Sequence, residues 1–225
     1  MTEIAGSVAV ASVMAELART RPVFHSEADF QLAFAQAVQN LDPDVQIRLE
    51  LPLRHVEGIK GSQYLDLMCR RPDARTAVEL KYFTRGWTGT DAVTGEKFVL
   101  RHHAATDLAR RNFVFDIARL EQFCRAGLAE NGFAVMLTND PNLWLPSKRL
   151  ASNDREFHIN DGRTLSGTLR WAKDMYPANT RTLSGTYSVE WQDYSKSIEG
   201  PYGTFRWLAI EVVACGPPLG APGGS

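Results

Sequence analysis

A chain of 225 residues with 44% hydrophobic content can bury one substantial core. No Pro/Gly/Ser-rich linker breaks its interior, so a single elaborated domain over 1–215 is expected rather than two. The formal net charge of −1 excludes a chain drawn to nucleic acid by its total charge, while leaving room for a local basic rim.

The apolar stretch Gly6 to Ala15 is far too short to span a bilayer, and no Lys or Arg precedes it as in a secretory signal. No membrane partner is therefore expected. Residues 8–18 read as a helix with Val8, Val10, Val13, Met14 and Leu17 on one face, a packing or partner-binding helix outside the catalytic core. Pro22 ends it, because the residue before a proline is pushed out of the helical region. A second helix starts at Ser26, a fitting N-cap with Asp29 in the capping-box position, and Phe30, Phe34, Ala37, Val38 and Leu41 line one side. Glu27 falls in its first turn, where unpaired backbone amides favour an acid.

Asp42-Pro43-Asp44 turns the chain into an alternating strand, Val45 to Leu53. After a loop holding Gly58 and Gly61 comes the stretch that organises the chain, QYLDLMCRRPDARTAVELKY over 63–82. Two apolar strands, Tyr64 to Cys69 and Thr76 to Tyr82, flank a Pro72-Asp73 turn and predict an antiparallel hairpin. Alternation sets Asp66 opposite the face of Leu65 and Leu67, and puts Glu79 and Lys81 together on one face. Charges taken from water cost several kcal/mol unless paired or bound to metal. Two nearby carboxylates repel, and a hard divalent cation is a simple way to keep both ionised.

Asp66 on one strand and Glu79-Leu80-Lys81 on the next resemble the D…(D/E)xK signature of the PD-(D/E)XK nucleases, the restriction-endonuclease-like fold. No proline precedes Asp66, where the family name places one. The resemblance covers residues 24–140. It implies an α/β core with a central mixed sheet flanked by helices, and metal-dependent hydrolysis of nucleic-acid phosphodiesters, mostly DNA, leaving a 5′-phosphate. It further implies that Asp66, Glu79 and the carbonyl of Leu80 hold Mg²⁺ or Mn²⁺. Lys81 then orients the attacking water and stabilises charge on the phosphate, and Glu27 is the third carboxylate, completing the shell through water. The rival class is a catalytically inactive nuclease fold serving as a nucleic-acid-binding or assembly module. A third alternative is an α/β protein whose charges form a buried ion-pair network, with no gap for an ion.

Between Arg48 and Arg101, ten Lys and Arg stand against seven acids. The polar insertion from Thr84 to Gly95 is expected as a surface loop beside the reactive edge, offering Arg85 to phosphate and Trp87 to a base, unless the tryptophan caps the core. Arg101-His102-His103 could extend a basic rim, but two adjacent histidines cannot both face one ion. Residues 104–126 are the longest helical pattern. Arg110 and Arg111 are candidate phosphate contacts there, set against Asp107–Arg111 and Asp116–Arg119 as surface ion pairs. Gly132 to Leu137 suits an interior strand, parallel to its neighbour through the helical crossover.

From Trp144 a β-rich extension is expected, with strands at 165–171, 186–191 and 205–214, shaping a substrate groove or a homodimer surface, or contacting a larger complex. Cys69, Cys124 and Cys215 have no paired spacing and read as reduced and cytoplasmic. The terminal CGPPLGAPGGS is expected to be disordered. No P-loop is present, so ATP-driven activity would need another subunit.

Overall fold

The computed structural model describes residues 3–53, 63–91, 94–147, 151–195 and 200–213. The tail expected to be disordered, Cys215 within it, and the loop glycines Gly58 and Gly61 lie outside these residues. A short hairpin, β1 (Glu3–Ile4) and β2 (Val8–Ala9), leads into α1 (Val10–Thr20) and α2 (Glu27–Leu41). Ser26 caps α2 by accepting a hydrogen bond from the Asp29 amide at 3.2 Å. Strands β3 (Gln46–Pro52), β4 (Tyr64–Arg70) and β5 (Arg75–Phe83) follow, then the hairpin β6 (Trp87–Thr90) and β7 (Lys97–Leu100). Helix α3 (Thr106–Arg125) crosses to β8 (Asn131–Thr138), and a single turn, α4 (Pro141–Trp144), comes next. The chain closes with β9 (Thr164–Leu169), β10 (Arg181–Ser188), β11 (Gln192–Ser195) and β12 (Phe205–Val213).

The centre is a six-stranded mixed sheet in the order β11-β12-β8-β5-β4-β3. β4 and β5 pair antiparallel as the turn predicts, and the helical crossover sets β5 parallel to β8. Residues 205–213, expected in a peripheral extension, instead pair with β8 along its whole length, Val213 against Asn131 to Arg206 against Thr138. Alternating apolar residues read the same for a peripheral and an interior strand, since only its partner distinguishes them. The expected strands at 165–171 and 186–191 correspond to the hairpin β9–β10, shifted toward the N-terminus at each end.

Two apolar layers cover the sheet. On one face α1 and α2 pack over Leu67, Cys69, Val78, Leu80 and Tyr82, with Phe24, Phe30 and Phe34 as anchors. Helix α1 thus belongs to the main core rather than lying outside it. On the other face α3 packs through Phe113, Ile117 and Leu120 against Ala77, Ala134, Met136 and Leu208. A Cβ at Gly132 would stand 2.9 Å from a Leu120 methyl and 3.2 Å from the Ala77 carbonyl oxygen. Only glycine lets α3 lie this close to the sheet, and that closeness brings α3's polar side chains down onto β5.

Candidate active site

Alternation holds on β5 and fails on β4. Glu79 and Lys81 pair in register with Ala134 and Met136, so both point into the α3 layer. On β4, Leu67 and Cys69 belong to the α1–α2 layer whereas Leu65 joins the α3 layer, so the pleat changes phase at Asp66. Leu65 and Leu67 therefore do not share a face, contrary to the strict period of two. Across from Asp66, Glu50 of β3 adopts φ +50°, a left-handed conformation unusual for a side-chain-bearing residue. The β4–β5 register is recorded only as far as Leu67 against Val78. Beyond it, the Asp66 carboxylate takes over a main-chain role, with Oδ2 accepting a hydrogen bond from the Leu80 amide at 2.6 Å.

Around this opening the charged side chains converge. Lys81 Nζ stands 3.9 Å from Asp66 Oδ2 and 3.4 Å from Asp116 Oδ2, and donates to the Leu80 carbonyl at 3.2 Å. Arg119 reaches down from α3 to Glu79 and to Asp116, each at 2.8 Å. Glu27, at the start of α2, accepts from the Tyr82 amide at 3.0 Å, so the first-turn acid meets the end of β5 rather than only its own helix terminus. Glu27 and Lys81 open with Arg101, His103 and Asn112 onto a cavity of about 520 Å³.

The cluster is electrostatically unbalanced. Glu27, Asp66, Glu79 and Asp116 bring four formal negative charges, and Lys81 and Arg119 two positive ones. Burial, then the charge of Asp116, pushes the Glu79 carboxyl well above its ordinary range despite Arg119. Burial likewise raises Asp116 and Glu27 against the pull of Lys81. Burial alone would lower Lys81, but the fields of Asp116, Glu27, Asp66 and Glu79 outweigh it and hold the ammonium firmly protonated. Lys81 in this setting is a cation and a hydrogen-bond donor.

Of the buried carboxylate oxygens, Glu79 Oε2 lies 2.8 Å from the Arg119 guanidinium and Asp116 Oδ2 lies 3.4 Å from Lys81 Nζ. The acids are oxygen donors of the kind a hard divalent cation takes, and they outnumber the two cations by two. Among the described residues, no group of three or more His, Cys, Asp or Glu is placed to hold a metal ion. Arg119 accounts for that at Glu79, because its guanidinium fills the space between Glu79 and Asp116.

Asp116 and Arg119 are the residues that sequence reasoning assigned to the surface. The pair forms as expected, but Asp116 is buried. A signal was available: Asp116 stands three residues after Phe113 and four before Leu120, inside the apolar stripe of α3.

The expected nucleic-acid contacts are placed differently. Within Thr84 to Gly95, residues 87–90 form β6, paired with β7, rather than loop, and Trp87 is buried with the α1–α2 layer, where its ring is not offered to a base. Arg110 is buried too, donating to Asp154 and to the Asn142 carbonyl, both at 2.6 Å, so it is not displayed to phosphate. Arg85 is half-buried, 3.2 Å from Asp140 and stacked over Tyr202. Arg111 is partly exposed and bonds Asn112 and Asn179, not the expected Asp107.

No described helix is long and apolar enough to cross a membrane. Comparison of the chain with protein-family models, curated proteins and solved structures finds no match.

Proposed function

We propose that the chain is a divalent-metal-dependent hydrolase of nucleic-acid phosphodiesters, most plainly of DNA, with the reactive centre at Asp66, Glu79 and Lys81. One observation carries this: four buried or half-buried acids surround a single lysine with two positive charges too few, at the point where β4 and β5 part. A structural ion-pair network gains nothing from leaving its acids under-compensated. The D…ExK resemblance agrees with it.

Asp66, Glu79 and the Leu80 carbonyl would hold Mg²⁺ or Mn²⁺ once Arg119 swings away from Glu79, with Asp116 beside them and Glu27 at the rim of the cavity. When bound, such a cation supplies Lewis-acid polarisation of the phosphate and lowers the pKa of a water. Lys81 donates a hydrogen bond to the attacking water and then neutralises charge growing on a non-bridging phosphate oxygen. The water oxygen bonds to phosphorus as the bond to the leaving sugar oxygen breaks; the water gives up a proton to solvent, and a solvent proton completes the leaving hydroxyl. Asp66, locked to the Leu80 amide, fixes the strand that carries both Glu79 and Lys81.

Mn²⁺ or Mg²⁺ titration followed by thermal unfolding tests the site. Saturation at a hundredfold over Kd should stabilise the wild type by about 2.7 kcal/mol, and Asp66→Asn should lose the response. Lys81→Ala should keep the metal-linked stabilisation and lose cleavage of an oligonucleotide by a factor on the order of 10²–10³. Cleavage at wild-type rate in purified Lys81→Ala would remove the lysine from the chemistry.

A second reading, an inactive nuclease-like fold acting as a binding module, is favoured by the contacts of Arg119 with Glu79 and Asp116. It requires that neither cation shift the unfolding temperature.

A further inference from the structure

A groove of about 660 Å³ runs between α3 and β10. Phe115 floors it. Arg181 lies with its Cζ 3.6 Å from the Phe115 ring centroid, and Arg111 approaches the same ring at 5.4 Å. Two guanidinium groups on one ring repel each other, and burial together with the Arg111 charge lowers the pKa of Arg181. Here the hydrogen-bond partners are neutral, and the acid that lines the groove, Glu121, is held by the Ser184 and Gly185 amides and the Tyr187 hydroxyl. Arg181 donates to the carbonyls of Ala178 and Thr180, Arg111 to the amide oxygens of Asn112 and Asn179, and Arg125 to the Ser184 hydroxyl. Among the described residues, none of these three arginines has a recorded carboxylate partner within ion-pair distance.

We propose that this groove holds the phosphate backbone of a nucleic-acid strand and leads it toward the acids around Lys81. Uncompensated arginines stacked on an aromatic ring keep their outward donors free for phosphate oxygens. On the opposite wall the Ser184 hydroxyl, which accepts from Arg125, keeps its own proton as a further donor of the kind that contacts backbone and sugar. Length argues for a repeating anion rather than one phosphate. Phe115 and Arg125, which both line the groove, stand ten positions apart on α3, about 15 Å of helix, with Arg111 one turn beyond Phe115, longer than a single small ion. Arg119 connects groove and centre, since it lines the groove and touches both Glu79 and Asp116. Only the direction in which the strand leads rests on the hydrolytic reading above; binding in the groove does not.

Fluorescence anisotropy of a short labelled single-stranded DNA, in EDTA and at several salt concentrations, tests the groove without any metal. The wild type should bind. The double variant Arg111→Gln/Arg181→Gln should bind roughly tenfold more weakly, with the slope of log K against log salt reduced by about 1.4 for two lost phosphate contacts. Arg181→Lys should retain most of the affinity, which separates lost charge from lost packing, and unfolding temperatures establish that both variants fold. Arg70→Gln, at the β4–β5 turn, should bind as the wild type does. Equal losses in Arg70→Gln and the groove variant, no loss in either, or no binding by the wild type would each overturn the proposal. Complete displacement of the DNA by millimolar inorganic phosphate would identify a small-anion site and overturn the strand assignment. A wild type that binds yet cleaves nothing with Mg²⁺ or Mn²⁺ removes the hydrolytic reading alone. One that cleaves while the groove variant binds normally removes the groove alone.

Discussion

Helix α3 carries two buried charged clusters, and they are built on opposite plans. Near its start, Arg110 meets Asp154 in a compact unit that includes His158, 3.5 Å from the same carboxylate. Burial alone would push Asp154 up, but hydrogen bonds from His158, Arg110 and Ser152 outweigh it and hold the carboxyl well below its usual range. Two turns later, Asp116 and Arg119 join Glu79 and Lys81, and there the acids are pushed up. In one cluster the acid is matched by partners from its own chain, which fasten the residues after α4 to the helix. The other is left wanting positive charge. Burial is common to both, so burial alone does not mark a functional acid; the two differ in whether the chain's own cations balance the buried acids.

The largest expected effect comes from breaking the satisfied cluster. Arg110→Ala leaves Asp154 buried without its nearest partner, the guanidinium at 2.6 Å, and should cost about 3–5 kcal/mol in denaturant unfolding, the range for a buried pair that loses one member. A loss below about 1 kcal/mol would mean that His158 and Ser152 suffice, and the contrast between the clusters would shrink. Oligonucleotide binding in the folded fraction should not change, because Arg110 faces Asp154 rather than solvent.

A smaller effect of opposite sign is expected at the other cluster. Asp116→Asn removes one of four mutually repelling acids while keeping the side chain's size. In EDTA it should stabilise the protein by roughly 0.5–2 kcal/mol, as replacements at strained functional positions commonly do, and it should weaken the Mn²⁺-dependent rise in unfolding temperature. Destabilisation by Asp116→Asn would show that Lys81 and Arg119 already balance the acids, and would favour the ion-pair network.

The same contrast explains what could be read from the sequence. The β4–β5 hairpin, the α2 cap and the crossover through α3 follow from turn residues, capping and periodicity, all of which are local. Asp66, Glu79, Lys81 and Glu27 meet because those local patterns put them on adjoining strands and on a helix end directed at them. Asp116 and Arg119 escaped since a three-residue spacing reads equally as a surface pair, although the position of Asp116 within the apolar stripe of α3 pointed inward, and the close approach at Gly132 brings that side onto β5. Trp87 and Arg110 were misplaced for a related reason. A tryptophan in a polar stretch and an arginine on a long helix both look exposed until a remote segment covers them, residues 154–158 in the case of Arg110. The partner of β12 depends on a pairing more than sixty residues away, which no local pattern contains.

The smallest effect concerns pH and belongs to Asp154. Its folded-state affinity for a proton is lowered relative to the unfolded chain, so at low pH the unfolded state binds more protons than the folded one. The contribution of Asp154 to stability is therefore fully present above the unfolded pKa of about 4 and is lost as pH falls from there toward the folded value. The groups that face it are Arg110 from α3, His158 four residues on, and Ser152, whose hydroxyl also bonds His158 at 3.2 Å. Asp154→Asn removes the titration while keeping the hydrogen-bonding shape. Unfolding temperature plotted against pH should fall less steeply below about pH 4 in Asp154→Asn than in the wild type. Above pH 5 the two curves should run parallel, with the variant lower throughout because Arg110 has lost its counter-charge. Curves that stay parallel down to pH 2 would mean that the carboxylate is not held low in the folded protein, and the two clusters on α3 would then differ in composition but not in plan.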